Sequence, residues 1–118
     1  MKKLTASTNS TDKDMIFMDK NVEMSLLLEM YGNLLTAKQK DAIDLYYNEN
    51  LSLSEIAEDV SITRQGVRKI LLDGEKKLID FESKLGFLKK KLNNDKIIQE
   101  LINETEDVNF KEKLKKLL

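Results

Sequence analysis

The sequence predicts an all-α protein organised around a helix-turn-helix, and three observations predict it. Pro is absent and Gly occurs four times in 118 residues, so little interrupts long helices. Charged residues make up 35% of the chain and apolar residues 41%, which suits exposed helices around one packed core. The segment from Ile56 to Val67 carries apolar residues where two crossing helices must touch, with a tight turn between them.

The elements follow in order. Residues 1 to about 12 are mostly Ser, Thr, Asn, Lys and Asp with little to bury, and residues 1–20 are expected to form a disordered lead-in. Met15, Ile16, Phe17 and Met18 either extend the first helix or dock on the core. That helix is predicted over Val22 to Tyr31, with Asn21 as N-cap, Gly32 as stop, and Met24, Leu27, Leu28 and Tyr31 on one face. Thr36 and Gln39 have capping-box spacing, in which each side chain satisfies the other residue's backbone N–H. The helix behind them runs to about Tyr47, with Ala42, Ile43, Tyr46 and Tyr47 at three- and four-residue spacing. Ser52 and Glu55 make a second capping box for a short helix to about Asp59. The turn Val60-Ser61-Ile62 follows, and Thr63 caps a helix that can reach Leu85. Its expected buried stripe is Val67, Ile70, Leu71, Leu78, Phe81 and Leu85, and Gly74 marks a close crossing, a kink or nothing. Residues 21–85 form the expected helix-turn-helix domain. Residues 86–118 form an amphipathic C-terminal helical extension with a break at Asn93-Asn94-Asp95. Ile97, Ile98, Leu101 and Ile102 make one apolar stripe in it, and Phe110, Leu114, Leu117 and Leu118 another.

The chemistry of the central segment sets the candidate site. Ala57 is the small residue that a close helix crossing needs, and Ile56, Val60, Ile62, Val67 and Ile70 supply the apolar lock. The second helix then presents Arg64, Gln65, Gly66, Arg68 and Lys69 outward. Gln can pair bidentately with adenine and Arg with guanine, and Arg64 and Lys69 suit phosphates. With Thr63 as cap, the first-turn N–H groups can also hold a phosphate. The expected nucleic-acid-binding residues are Thr63, Arg64, Gln65, Arg68 and Lys69.

The stretch from Thr36 to Leu78 resembles region 4 of bacterial sigma-70-type factors. The likeness lies in Leu35-Thr36-x-x-Gln39, Leu53-Ser54-Glu55-Ile56-Ala57 and Ile62-Thr63-Arg64-Gln65-Gly66-Val67-Arg68. Over residues 22–105 the chain is similar to a narrower group, the small YlxM-type proteins of Gram-positive bacteria. Their marks here are Met24-x-x-Leu27-Leu28-x-x-Tyr31-x-x-Leu34-Leu35-Thr36-x-Lys38-Gln39, then Tyr46-Tyr47-x-x-Asn50-Leu51-Ser52-Leu53-Ser54-Glu55-Ile56-Ala57, and the charged helical tail. The resemblance implies a sigma-70 region 4-like helix-turn-helix with additional C-terminal helices. It also implies a link to the signal recognition particle pathway, which rests on gene neighbourhood. Two positions depart from the patterns. Ser61 stands where the turn usually has Gly, and Gly66 stands where sigma factors carry a long side chain toward DNA.

Composition excludes several function classes. Without Cys or His there are no disulfides, thiolate zinc sites, thiol nucleophiles or imidazole bases. Carboxylates such as Glu104, Glu106 and Asp107 read as solvated loop more readily than as a metal site. No phosphate loop and no nucleophile arrangement appears, so the expectation is a non-enzyme without cofactor or metal. No apolar run is long enough to span a bilayer, and the basic N-terminus lacks an apolar block after it, so a cytoplasmic protein without a membrane partner is expected. The net charge of −1 gives no overall pull toward nucleic acid, and from Ser52 to Leu78 the charges cancel. Two uses of the surface therefore stand side by side. In one, the helix-turn-helix binds DNA or RNA as a regulatory protein. In the other it is scaffold, and the helices after Gly86 pair with a second copy as a homodimer or bind a protein such as a signal recognition particle component. Tyr46 and Tyr47 read as core first and as base-stacking residues second.

Overall fold

The computed structural model describes residues 18–118. The lead-in expected before them, with Met15, Ile16 and Phe17, lies outside the described residues. Among the described residues six α-helices run in order: α1 (Lys20–Tyr31), α2 (Ala37–Ile43), α3 (Leu53–Val60), α4 (Arg64–Leu85), α5 (Phe87–Glu104) and α6 (Val108–Lys115). There is no strand among the described residues.

Local chemistry sets most of the ends. α1 starts two residues before the expected point, because Asp19 and not Asn21 is its cap: Asp19 Oδ1 accepts from the Asn21 N–H at 2.7 Å. A carboxylate there also suits the positive end of the helix dipole. Gly32 is not a left-handed stop. Its φ is −55°, its N–H donates to Leu28 O, and it opens the 3-10 turn Gly32–Leu34. α2 begins at the expected capping box, with both reciprocal bonds at 3.1 Å. The α-helix ends at Ile43, short of the expected Tyr47, and a wider π turn (Asp44–Asn48) continues it. Asn50, left-handed at φ 59°, closes the segment, and the Leu51 N–H donates to Leu45 O at 3.0 Å.

α4 is the spine. Val67, Leu71, Gly74 and Leu78 are buried at helical spacing, and Ile70 and Phe81 are partly buried against the same core. Leu85, expected in this stripe, is the last residue of α4 and is 47% exposed. Gly74 is a close crossing. A Cβ there would stand 2.7 Å from Ile43 Cδ1 and 3.3 Å from Gln39 Cβ, so α2 passes almost against the α4 backbone. Met24, Leu27, Leu28 and Tyr31 of α1, Ile43 of α2 and Ile56 of α3 complete the core.

Gly86 turns the chain in the left-handed conformation, φ 65°, where an L side chain is strained. The junction is held by one carboxylate. Glu82 Oε1 accepts from Tyr31 OH at 2.6 Å and from the Leu88 N–H at 3.0 Å, while Oε2 accepts from the Lys89 N–H at 3.0 Å. The Phe87 N–H donates to Tyr31 Oη at 3.2 Å. The last turn of α4 thus caps the first turn of α5, and burial together with the Glu82 bond raises the Tyr31 phenol above its ordinary pKa. Leu88 and Leu92 join the core of α1 to α4, so the chain passes residue 86 without leaving that core.

The expected break at Asn93-Asn94-Asp95 is absent, and α5 runs through it. Asp95 pairs with Lys91 one turn earlier at 2.7 Å, which supports the helix where Asn propensity is low. Asp107, expected in a solvated loop, caps α6 by accepting from the Phe110 N–H at 3.1 Å. The two tail stripes are only partly used: Ile102 and Leu114 are buried, while Ile97, Leu101, Phe110, Leu117 and Leu118 are exposed. Among the described residues no helix is long and apolar enough to cross a membrane.

Two predictions test this packing. Gly74→Ala gains about 1 kcal/mol of helix propensity but must push the buried Ile43, at a typical overpacking cost of about 1–3 kcal/mol. Urea denaturation should therefore show a net loss, and a more stable variant would mean the crossing has slack. For the junction, Glu82→Ala and Tyr31→Phe should each cost about 1–3 kcal/mol. In a double-mutant cycle their losses should fall short of additivity by at least about 0.5 kcal/mol; fully additive losses would show that the two groups do not act through one bond.

Candidate nucleic-acid interface

The helix-turn-helix is built by α3, its turn and the first turns of α4. Ser52 starts α3 with both capping-box bonds, 2.9 Å to its own N–H from Glu55 Oε1 and 3.1 Å from its Oγ to the Glu55 N–H. The Ser52 N–H holds the Glu55 carboxyl below the usual carboxylate range. Ser61 takes the left-handed turn position, φ 57° and ψ 44°, and the Ile62 N–H donates to Ala57 O at 3.1 Å. Ser fills that conformation at a cost on the order of 1 kcal/mol relative to Gly, and the turn forms regardless. Thr63 caps α4 through a 3.0 Å bond from the Gly66 N–H to its Oγ1.

The expected apolar lock divides. Ile56 and Val67 are fully buried and Ala57, Ile62 and Ile70 are partly buried against them. Val60 is 40% exposed and does not lock the helices. Val60, Ile62 and Ile70 instead help line an apolar cavity of about 100 Å³ between α2, α3 and α4.

The structure brings the expected contact residues to one end of α4. Thr63, Arg64, Gln65, Arg68 and Lys69 are all exposed. Arg64, Gln65 and Arg68 have no side-chain partner among the described residues, whereas Lys69 pairs with Asp73 at 3.1 Å. The N–H groups of Arg64 and Gln65, in the first turn, have no acceptor within the helix. Gly66 is not an outward blank. It lies against the cap, where a Cβ would meet Thr63 Oγ1 at 3.1 Å and Ile62 Cδ1 at 3.6 Å.

The charge balance also changes in three dimensions. Glu75 faces inward, accepting from Tyr47 OH at 2.7 Å and pairing with Lys20 at 3.4 Å. That burial and the Glu75 bond push the Tyr47 phenol well above its ordinary pKa. Asp73 is engaged by Lys69, and Glu55 by its own capping box. Glu58 and Asp59 stay exposed at the end of α3. The count of charges along the chain therefore understated the positive character of the first two turns of α4. The two tyrosines separate as well: Tyr47 is core, and Tyr46 is 37% exposed with its ring edge-on to Tyr47 at 4.9 Å. Helical spacing alone did not distinguish them.

Comparison with known proteins agrees with this architecture. Residues 18–118 match the profile of the UPF0122 family, described as "Putative helix-turn-helix protein, YlxM / p13 like". A UPF0122 protein of Clostridium botulinum is 37% identical over 109 residues, covering 85% of this chain and 100% of the relative. One from Clostridium kluyveri is 45% identical over 76 residues, 64% of this chain and 68% of the relative. One from Desulforamulus reducens is 44% identical over 81 residues, 69% of each. The match includes α5 and α6 as well as the helix-turn-helix, and the chain belongs to the UPF0122 family of YlxM/p13-like helix-turn-helix proteins.

Proposed function

We propose that this protein is a nucleic-acid-binding, non-enzymatic regulator that lays the first two turns of α4 in the major groove of duplex DNA. One observation carries the proposal: Arg64, Gln65 and Arg68 project unpaired from a capped helix end, while three of the nearby carboxylates are held by partners within the chain. Arg64 and Arg68 supply phosphate or guanine contacts, Gln65 reads a base edge, and Thr63 orients the helix. Lys69 contributes once Asp73 releases it. Duplex DNA is preferred over duplex RNA, because the A-form major groove is too deep and narrow for a helix. The pathway we assign, that of the signal recognition particle, rests on the YlxM resemblance alone, and with it a place of action in the cytoplasm.

A second reading is favoured by the tail. Phe87, Ile97, Leu101, Val108, Phe110, Leu117 and Leu118 are all exposed, Val108 at 69% and Leu117 at 65%. Apolar side chains grouped on α5 and α6 suit a protein interface. We propose that they join two copies of the chain, so that the tail assembles the dimer and α4 makes the nucleic-acid contact.

Each reading has its own measurement. Arg64→Ala/Arg68→Ala should weaken binding to duplex DNA, and the slope of log affinity against log salt should fall by about 1 for each phosphate no longer neutralised. Fluorescence anisotropy between about 50 and 200 mM salt measures both, and an unchanged slope would move the site away from α4. Phe110→Glu/Leu117→Glu should convert a dimer to a monomer in light scattering without shifting the circular dichroism spectrum. A wild-type chain that is monomeric at high micromolar concentration would sink the dimer.

A further inference from the structure

Away from α4, an open polar cleft of about 320 Å³ lies between the start of α1, the π turn and the start of α3. Asn21, Tyr46, Asn50, Leu51, Ser52 and Glu55 line it. Its size suits one small planar group better than a helix or peptide. Tyr46 gives it a rigid aromatic wall, because the ring is braced edge-on by Tyr47 at 4.9 Å and an 85° interplanar angle. The Tyr47 ring is itself fixed by the bond to Glu75 and by Lys20, whose Nζ stands 6.0 Å from its centroid.

Ser52 and one oxygen of Glu55 serve the α3 capping box, and the other side-chain polar groups of the cleft face solvent. The side-chain amides of Asn21 and Asn50 and the Tyr46 hydroxyl have no partner among the described residues. Asn50 is held in place by its left-handed backbone and the closing bond from the Leu51 N–H to Leu45 O. Glu55 spends Oε1 on the Ser52 N–H at 2.9 Å and has Oε2 to spare. An ionised carboxylate repels a phosphate and seeks a donor edge. The two amides offer donors as well as acceptors.

We infer that this cleft binds an unpaired guanine base of a single-stranded nucleic acid, stacked on Tyr46. Guanine presents two adjacent donors, N1–H and the N2 amino group, to the Glu55 carboxylate: Oε2 takes one, and Oε1 takes the other on the lone pair not used by the Ser52 N–H. Its O6 and N7 accept from an Asn amide, as the groove-edge pattern of guanine allows. Stacking of splayed bases on aromatic rings with hydrogen bonds to their Watson–Crick edges is the usual way single strands are read. Adenine offers Glu55 only one donor on that edge. A guanidinium or ammonium group from a protein partner would satisfy Glu55, but it has no acceptor for the amide N–H groups of Asn21 and Asn50. The inference rests on the nucleic-acid reading proposed above for its class of ligand, and on none of the α4 residues.

The test uses the full chain and three seven-residue RNAs: uridines with a central guanosine, adenosine or inosine. Binding is followed by calorimetry and by amide chemical shifts. The guanosine strand should bind tightest, and inosine, lacking only the N2 amino group, should lose several-fold. Tyr46→Leu keeps the contact with Tyr47 and removes the stacking face, so it should weaken the guanosine strand by about tenfold or more. Asn21→Ala should weaken it as well, with thermal melting unchanged for both variants. Duplex DNA is titrated in parallel. Loss of duplex binding in Arg64→Ala/Arg68→Ala with guanosine discrimination intact supports two separate sites. Guanosine discrimination without any duplex binding overturns the α4 reading and leaves the cleft standing. Equal affinity for the three RNAs, or shifts that avoid Asn21, Tyr46 and Asn50, overturns the cleft. So does a blocked arginine amide that fills it while guanosine does not.

Discussion

The fold depends first on how closely α2 crosses α4. Gly74 has no side chain, and Ile43 occupies the space a Cβ would need. Because α2 lies almost on the α4 backbone there, Ile43 becomes fully buried. The same approach leaves room for Ile56 of α3 to reach Val67 beyond it. α3 is then fixed by its own cap and by the left-handed Ser61, and the N-terminal end of α4 projects past all three helices. Exposure of Arg64, Gln65 and Arg68 follows from a packing constraint nearly three turns further along the same helix. A larger residue at 74 would move α2, then α3, and only then the contact surface.

The far end of α4 is held by a different force. Glu82 brings a carboxylate to the N-terminus of α5, where the helix dipole and two free N–H groups favour negative charge. Tyr31 closes the arrangement from α1. Hydrogen bonds to a charged group contribute about 1.5–3 kcal/mol each, more than the surface ion pairs along α4 and α5 can give. Apolar contact fixes the middle of α4 and a charged cap fixes its C-terminal end, so α5 leaves along a set direction. No buried side-chain nitrogen or oxygen among the described residues lacks a partner, as a junction resting on polar groups requires.

What the sequence disclosed was mainly local. Capping boxes at Thr36/Gln39 and Ser52/Glu55, the Thr63 cap and the reach of α4 to Leu85 depend on residues three or four apart, and they were legible. Features that depend on packing, or on a local pair set against a weak composition, were not. Asn93-Asn94-Asp95 looks like a break by composition, yet α5 runs through it, helped by the Lys91–Asp95 pair. Gly32 ends α1 as expected, but in a right-handed 3-10 turn and not in the left-handed cap common for Gly. Leu85 fits the stripe of α4 by spacing but stands exposed at the helix end, beside the left-handed Gly86. At the candidate site, the positions on α4 could be read from periodicity. The electrostatics could not, because nothing in the linear order says that Glu75 turns inward to Tyr47 and Lys20. Tyr46 and Tyr47 are neighbours of one type, and only the π turn and its packing decide which is core.

The charge that remains on α4 sets a scale for how such a protein can work. Two unpaired arginines neutralise few phosphates, so counterion release alone supports weak binding that falls quickly with salt. Two routes raise affinity without adding charge. A dimer through the tail makes the second contact intramolecular, and linked sites of this kind can gain two to four orders of magnitude when the spacing allows both to engage. A base stacked in a separate cleft adds contact energy that salt does not screen, because stacking involves no net charge. Both routes make binding depend on the architecture of the ligand more than on a string of base pairs. On the proposed reading, the arginines of α4 place the helix in a groove, while the affinity comes from the paired copies and the stacked base more than from charge.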